Sequence, residues 1–285
     1  MSGTPLSPTV VLRRLAAVAL VVFAVGCSGP RPAVPENETS EAEWRDAEEA
    51  YASFLADVGG SQGLLAALSG PEEEVRARLA PYGIGVGVAD VGTEEGAGAP
   101  TADNSITGCP QYFLSADRNQ WWSLPHAGGD EHHYIDASGR PSRAVKELPP
   151  AVPYQRSPSC QATVGNWGVP PSDYQGGHLI GHQLGGWGKR ANLVPQNGNF
   201  NGGNWAQIEN ALAACNKLPT GTTLTYYVEV AYPNTTALTP IRFYAQITFS
   251  TGAQKTVRFD NAPGGGPGGT ATRQALVSWL QANGC

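Results

Sequence analysis

The reading turns on Gly176-Gly177-His178-Leu179-Ile180-Gly181-His182-Gln183-Leu184-Gly185-Gly186-Trp187. Asn192-Leu193-Val194-Pro195-Gln196 follows, then Phe200-Asn201-Gly202-Gly203-Asn204-Trp205 and Glu209. An imidazole carried by a Gly-Gly turn and followed by an apolar pair can sit on a cleft floor and move protons near neutral pH. Behind it, Asn192, Gln196, Asn197, Asn199, Asn201 and Asn204 place six carboxamides in thirteen residues. That density is costly in ordinary packing. It makes sense where main-chain groups, a hydrated cation or phosphate oxygens need neutral partners.

Trp205, Ile208, Leu212 and Cys215 recur at helical spacing, which predicts a helix beginning near 204, with Asn201 just before it and Glu209 on it. Were Asn201 inside that helix, Glu209 would lie about 12 Å further along the axis. One ion is then not ligated by both. One binds it, and the other acts through water or a neighbouring hydrogen bond.

Outward from this centre, Leu224, Tyr226, Val228, Val230 and Tyr232 alternate with polar or small residues, as do Ile241, Phe243, Ala245, Ile247 and Phe249. Both runs predict half-buried strands, antiparallel neighbours. Asp136-Ala137-Ser138-Gly139-Arg140 predicts a hairpin within 133–146. A last helix is expected over 271–282 with Leu276, Trp279 and Leu280 inward. Gly264 to Gly269 lacks the Gly-Lys-Ser/Thr of a phosphate-binding loop and reads as a turn. The expected fold class is α+β: a domain over 106–285 whose antiparallel sheet flanks a central helix. Ahead of it, Ser40 to Glu43 reads as a capping box opening a helix over 41–57, with Trp44, Ala47, Tyr51 and Leu55 on one face. A shorter helix is expected over 71–80, and a Gly/Ala/Thr-rich linker over 91–105.

Composition supports this. The 285 residues are 41% hydrophobic and 15% charged, with 36 Gly and 23 Pro, which excludes a disordered chain and favours a loop-rich fold over a helical bundle. Residues 28–105 carry a net charge of −11, and 106–285 carry +3. Net acidity argues against tight nonspecific duplex binding by the whole chain, but leaves a nucleic-acid substrate open to its C-terminal part. The long apolar run, Leu15 to Val25, is too short to span a bilayer. With Arg13-Arg14 before it and Gly26-Cys27 after it, 1–27 reads as a secretory signal. Ala24-Val25-Gly26-Cys27 resembles a bacterial lipobox, in which Cys27 becomes the lipidated first residue and 28–39 a tether. The expectation is export, with a membrane anchor. Four further cysteines, Cys109, Cys160, Cys215 and Cys285, suggest two disulfides in an exported chain, and a Cys215–Cys285 bridge is one guess.

The spacing Gly-His…Asn192-x-x-Pro195-Gln196-x₄-Asn201-x₃-Trp205-x₃-Glu209 resembles the DNA/RNA non-specific endonucleases of the ββα-metal, or His-Me finger, fold. The branch with Gly-His-Leu-Ile, of DNA-entry-nuclease and secreted-toxin type, is the one it resembles most. The match is strong over 175–210 and loose over 130–285. The resemblance implies that His178 is the general base and that Asn201 is the direct ligand of Mg²⁺, with Mn²⁺ as an alternative. Glu209 would orient the ion's water shell, and Asn192 would orient the histidine or fix its loop. Gln196 would support the metal and substrate site. It implies hydrolysis of DNA and RNA to 5′-phosphate ends, with nucleic acid, the membrane through Cys27 and an inhibitor protein as partners.

This chain departs from the family's Asp-Arg-Gly-His: the corresponding residues are Gln175, Gly176, Gly177 and His178. Asp173 is one candidate to replace the acid. Arg156, or Lys189 and Arg190, would supply the missing phosphate contact. His182 reads either as a substrate-side contact or as structural. A zinc-peptidase reading of His178-x₃-His182 fails, because Leu179 stands where that motif needs Glu. Trp121-Trp122 read as packing, and His126, His132 and His133 as surface or strand residues. The rival reading keeps the fold without turnover, as a surface module that binds nucleic acid or a protein partner. Retention of His178, Asn201 and Glu209 together favours catalysis.

Overall fold

The computed structural model describes residue 49 and residues 51–89, 106–126, 128–149, 152–215, 218–219 and 221–285. The expected signal, Cys27, the tether, the capping box with Trp44 and Ala47, and the linker over 91–105 lie outside the described residues. Of the helix expected over 41–57, the described residues 51–57 are helical (α1). They bury Tyr51 and Phe54, while Leu55 packs at the margin.

Among the described residues the strands form two sheets. The larger has seven strands in the order β1 (Gly85–Val88), β2 (Gln120–Leu124), β3 (Glu131–Ile135), β4 (Pro141–Leu148), β7 (Leu224–Ala231), β8 (Arg242–Phe249) and β9 (Gln254–Asp260). All neighbours are antiparallel except β1, which runs parallel to β2. The expected hairpin is β3–β4, closed by Asp136, whose carboxylate takes the Arg140 main-chain N–H and its guanidinium. The expected strand pair is β7–β8.

Period-2 alternation gives this sheet two faces. On one, Tyr134, Val145 and Tyr227 join α1, α2 (Ser61–Leu68) and α3 (Glu72–Leu79) through Tyr51, Phe54, Leu64, Val75 and Leu79. On the other, Ala144, Leu148, Tyr226, Val228, Phe243 and Ile247 meet α6 (Ala206–Ala214) and α7 (Gly269–Ala282). There Phe200, Trp205, Phe243 and Phe259 stack with centroids 5.3–6.3 Å apart. Aromatic pairs of this kind add about 0.5–1.5 kcal/mol each beyond area burial. Because both faces are covered, even the polar strand residues Glu131, His132, His133, Arg143 and Lys146 are buried. Cys109–Cys160 and Cys215–Cys285 are the disulfides among the described residues, and the second ties α6 to the C-terminus.

The smaller sheet pairs β5 (Tyr174–His178) with β6 (Leu193–Asn197), antiparallel, with Gln175 opposite Gln196 and His178 opposite Leu193. The chain then enters α5 (Gly198–Phe200), a π turn over Asn201–Trp205, and α6. This is a β-β-α unit laid on the large sheet. Its helix begins at Gly198, six residues before the position expected from apolar spacing. Asn197 caps it by accepting the N–H groups of Asn199 and Phe200. Gly203, with φ −106° and ψ −108°, breaks the helical path in the turn, and that break hides the earlier start from a reading by period.

Candidate active site

Two glycines decide where the histidine sits. A Cβ on Gly177 would lie 2.0 Å from Gln196 Oε1, and one on Gly176 would lie 2.3 Å from the Gln161 carbonyl of α4 (Pro158–Gly165). Only a strand bare on both sides fits between β6 and α4, and it delivers His178 at its end. The His178 carbonyl accepts the Trp205 indole N–H at 3.3 Å, which fixes the end of β5 to the helix. His178 is 8% exposed, and among the described residues its Nε2 has no hydrogen-bond partner. Burial, then the charge of Arg156, then His182 and His133, push its pKa down to about 3. At neutral pH it is an uncharged imidazole with one nitrogen free to accept a proton.

The loop after His178 is held by Asn192. Its Oδ1 accepts the Ile180 N–H at 2.8 Å. Its Nδ2 donates to the Ile180 carbonyl at 2.8 Å and to the Trp187 carbonyl at 2.9 Å. Leu179 N–H donates to the Asn192 carbonyl at 2.9 Å. Of the two roles the resemblance offered this residue, these bonds are those of a loop fixer.

Glu209 reaches the same loop from α6. A Cβ on Gly181 would lie 2.5 Å from its carboxyl carbon, so the glycine makes room for the carboxyl group. Gln183 Nε2 donates to Oε2 at 3.3 Å, while Oε1 is buried without a partner among the described residues. Burial raises its pKa to about 8, against opposing help from Gln183, Trp205 and Arg156.

The carboxamides divide by use. Asn192, Asn197, Asn199 and Asn204 serve the chain itself. Asn199 Oδ1 takes the Gly264 N–H, and Asn204 Nδ2 donates to the Gly264 carbonyl, so both hold the glycine-rich turn. Two are left for the site. Gln196 is fully buried with neither Oε1 nor Nε2 bonded among the described residues. Asn201 donates from Nδ2 to Gln175 Oε1 at 2.9 Å, which turns its Oδ1 the other way. Gln175, the residue in place of the family's acid, is thus a contact of the site that sequence reasoning did not assign. Its position three before His178 was the available signal. Asp173 is exposed in the turn before β5 and bonded to Ser172.

The basic residues part company. Arg156 is exposed, and its charge acts on His178, His182 and Glu209. His182 is partly exposed with Nδ1 unpartnered among the described residues, and burial lowers its pKa. Lys189 is half-buried, its ammonium 5.8 Å from the Trp187 ring. Arg190, grouped with Lys189 as a phosphate contact, is fully buried. It donates to the Leu193 and Gln111 carbonyls and lies 5.1 Å from the Trp167 ring. Burial lowers its pKa to about 10. Its work in this structure is internal.

Residues 121–249 match the family model for DNA/RNA non-specific endonuclease. The chain carries an endonuclease domain of that family. The matched span holds β2, but for Gln120, to β8, with His178, Asn192, Gln196, Asn201 and Glu209 inside it. Among solved structures the chain is similar to NucA from Streptococcus agalactiae with no metal bound, at 20% identity over 52% of this chain and 75% of that one, with a TM-score of 0.38. It is similar to NucA with magnesium ion bound, at 19% identity over 46% and 72%, with a TM-score of 0.37. It is also similar to EndoG in the EndoG/EndoGI complex, at 16% identity over 50% and 74%, with a TM-score of 0.32. No curated protein matches it.

The residues of this endonuclease domain suit a hard cation. Beside the unbonded nitrogens, the site keeps oxygens of the kind Mg²⁺ prefers, Asn201 Oδ1 and Glu209 Oε1. Among the described residues no three His, Cys, Asp or Glu gather to hold a metal by themselves. A site centred on one carboxamide leaves such an ion most of its water.

Proposed function

We propose that this endonuclease is exported, anchored at the membrane through a lipidated Cys27, and hydrolyses phosphodiester bonds of DNA and RNA with Mg²⁺. The observation that carries the catalytic part is the convergence of His178, Asn201 and Glu209 on one β-β-α unit, each keeping a polar atom unbonded among the described residues. Asn201 Oδ1 would hold the cation, with Glu209 acting on its water shell. A bound Mg²⁺ supplies charge neutralisation at the phosphate and the leaving oxygen. His178 accepts the proton of the attacking water, whose oxygen bonds to phosphorus as the bond to the 3′ oxygen breaks. That oxygen leaves and gains a proton from solvent, and the phosphate stays on the 5′ side. A phosphate drawn to Arg156 offsets that guanidinium's pull on His178 and raises the ring's basicity when substrate is bound. Nothing in the scheme touches a 2′-OH, so both polymers serve.

Partners on this reading are the polymer, the membrane at Cys27 and a protein inhibitor of the site. Digestion of plasmid and of RNA by the purified chain, with end analysis, tests the chemistry. The expected result is 5′-phosphate ends and loss of cutting in His178→Ala; undiminished cutting in that variant overturns the base. Cys27→Ser should move the protein from the membrane fraction to the medium, and an unchanged distribution rejects the anchor.

A further inference from the structure

Strand alternation puts Glu131 and His133 of β3 and Lys146 of β4 on the face that carries the β-β-α unit, all buried. Glu131 is 0% exposed and is fully engaged. His133 Nε2 bonds to its Oε1, and the Trp187 main-chain N–H donates to Oε1 and Oε2 at 3.1 and 3.0 Å. Lys146, whose ammonium donates to the Gly129 carbonyl at 2.5 Å, adds a positive charge that acts on this carboxylate. The Trp187 main chain is therefore gripped on both sides: its N–H by Glu131, its C=O by Asn192. Asn192 in turn grips both main-chain groups of Ile180, two residues after His178. A Cβ on Gly186 would lie 1.7 Å from the Ile180 carbonyl, so the loop can close over this joint only with glycine there.

We infer that Glu131 is a positioning residue for the phosphodiester hydrolysis. It sets the approach of His178 through Trp187, Asn192 and Ile180, without touching substrate. The inference rests on the reading of His178 as the general base. A rigid anchor is what general-base work needs, because a displacement of about 1 Å at the reacting group can cost about 100-fold in rate. Loop residues alone do not supply that rigidity. Here a buried carboxylate on the central sheet reaches across and supplies it.

A double-mutant cycle on the full chain tests this, with kcat and KM measured on one oligonucleotide at saturating Mg²⁺ for wild type, Glu131→Gln, His178→Ala and the pair. Glu131→Gln should lower kcat by about 10- to 100-fold with KM within about twofold. In the His178→Ala background the same change should cost nothing further, because the residue it positions is gone. Thermal unfolding should stay cooperative in Glu131→Gln, and Glu131→Asp, which keeps the charge, should recover part of kcat. Additive losses, an unaffected kcat, or collapse of cooperative unfolding in both Glu131 variants would each overturn the inference while leaving His178 as base intact. Wild-type activity in His178→Ala alone would remove the base assignment and this inference with it.

Discussion

Two buried glutamates touch the loop that follows the histidine, and the fold treats them differently. Glu131, from the central sheet, has donors on both oxygens: an imidazole and a main-chain N–H. Glu209, from α6, has one weak donor, one oxygen unbonded among the described residues and a pKa raised to about 8. Leaving a buried acceptor unmet costs about 1–3 kcal/mol, more when it is charged. A fold tolerates that cost where something else fills the position. The satisfied carboxylate braces the loop, and the unsatisfied one is left for what binds there.

The most severe way to break this contrast is to remove the group between the two. His178→Ala should lower kcat by about 10²–10⁴-fold, as expected for loss of a general base, with the fold retained. A drop of less than tenfold would leave both glutamates without a catalytic object. Next, Glu209→Gln should weaken Mg²⁺ binding by about 10–100-fold, the usual cost of an outer-shell partner, and should not lower the melting temperature. Glu131→Gln should leave Mg²⁺ affinity within twofold. Calorimetric titration of both variants settles it, and equal losses would erase the distinction.

The same opposition exists between two arginines. Arg190→Ala should destabilise by on the order of 3 kcal/mol, because it leaves buried carbonyls unmet. Arg156→Ala should leave stability unchanged and raise KM several-fold, more so at low salt. Denaturant unfolding beside salt-dependent kinetics checks the pair, and interchange of the two phenotypes would refute the placement.

The last effect is on pH. His132 and His178 are both held neutral to about pH 3 by burial, against an unfolded value near 6.5. Below 6.5 the unfolded chain takes up protons that the fold refuses, so stability falls with falling pH, by about 1.4 kcal/mol per unit for each ring. Glu209 acts in the opposite direction. Its folded value of about 8 exceeds the ordinary 4.5, so the fold holds a proton that the unfolded chain releases, and stability falls as pH rises between them. These three groups together place the maximum near pH 6.5. Glu209→Gln should flatten the alkaline limb, and His132→Gln should halve the slope of the acid limb between pH 4.5 and pH 3.5. Unfolding free energies across pH 3.5–8 test both.

The elements legible in the sequence were those with clean periods: the β3–β4 hairpin, the β7–β8 pair, α6 and α7. The β-β-α unit was legible only through the motif's resemblance to the ββα-metal endonucleases. What escaped has identifiable causes. β1 is Gly-Val-Gly-Val, in which half the positions have no side chain to show a period. β9 is mostly polar on its exposed side, and α2 has no acidic or Ser/Thr cap to announce it. Glu131-His132-His133 looks like a solvent-facing run, and it is buried because helices cover one face of the sheet and the β-β-α unit covers the other. Six carboxamides looked like one site, yet four of them serve the main chain. A residue type does not reveal which partner it will meet. Arg190 was misread for that reason: beside Lys189 it looks like a basic surface patch, and the chain turns it inward.

The central claim is that Asn201 holds a divalent ion on which cutting of both polymers depends. The most direct test measures Mg²⁺ binding and digestion of plasmid and RNA together, for the purified chain with and without EDTA, beside Asn201→Ala. Saturable Mg²⁺ binding, with cutting of both polymers lost in EDTA and in the variant, is the predicted result. Undiminished binding and cutting by Asn201→Ala, or cutting that survives EDTA, would contradict it.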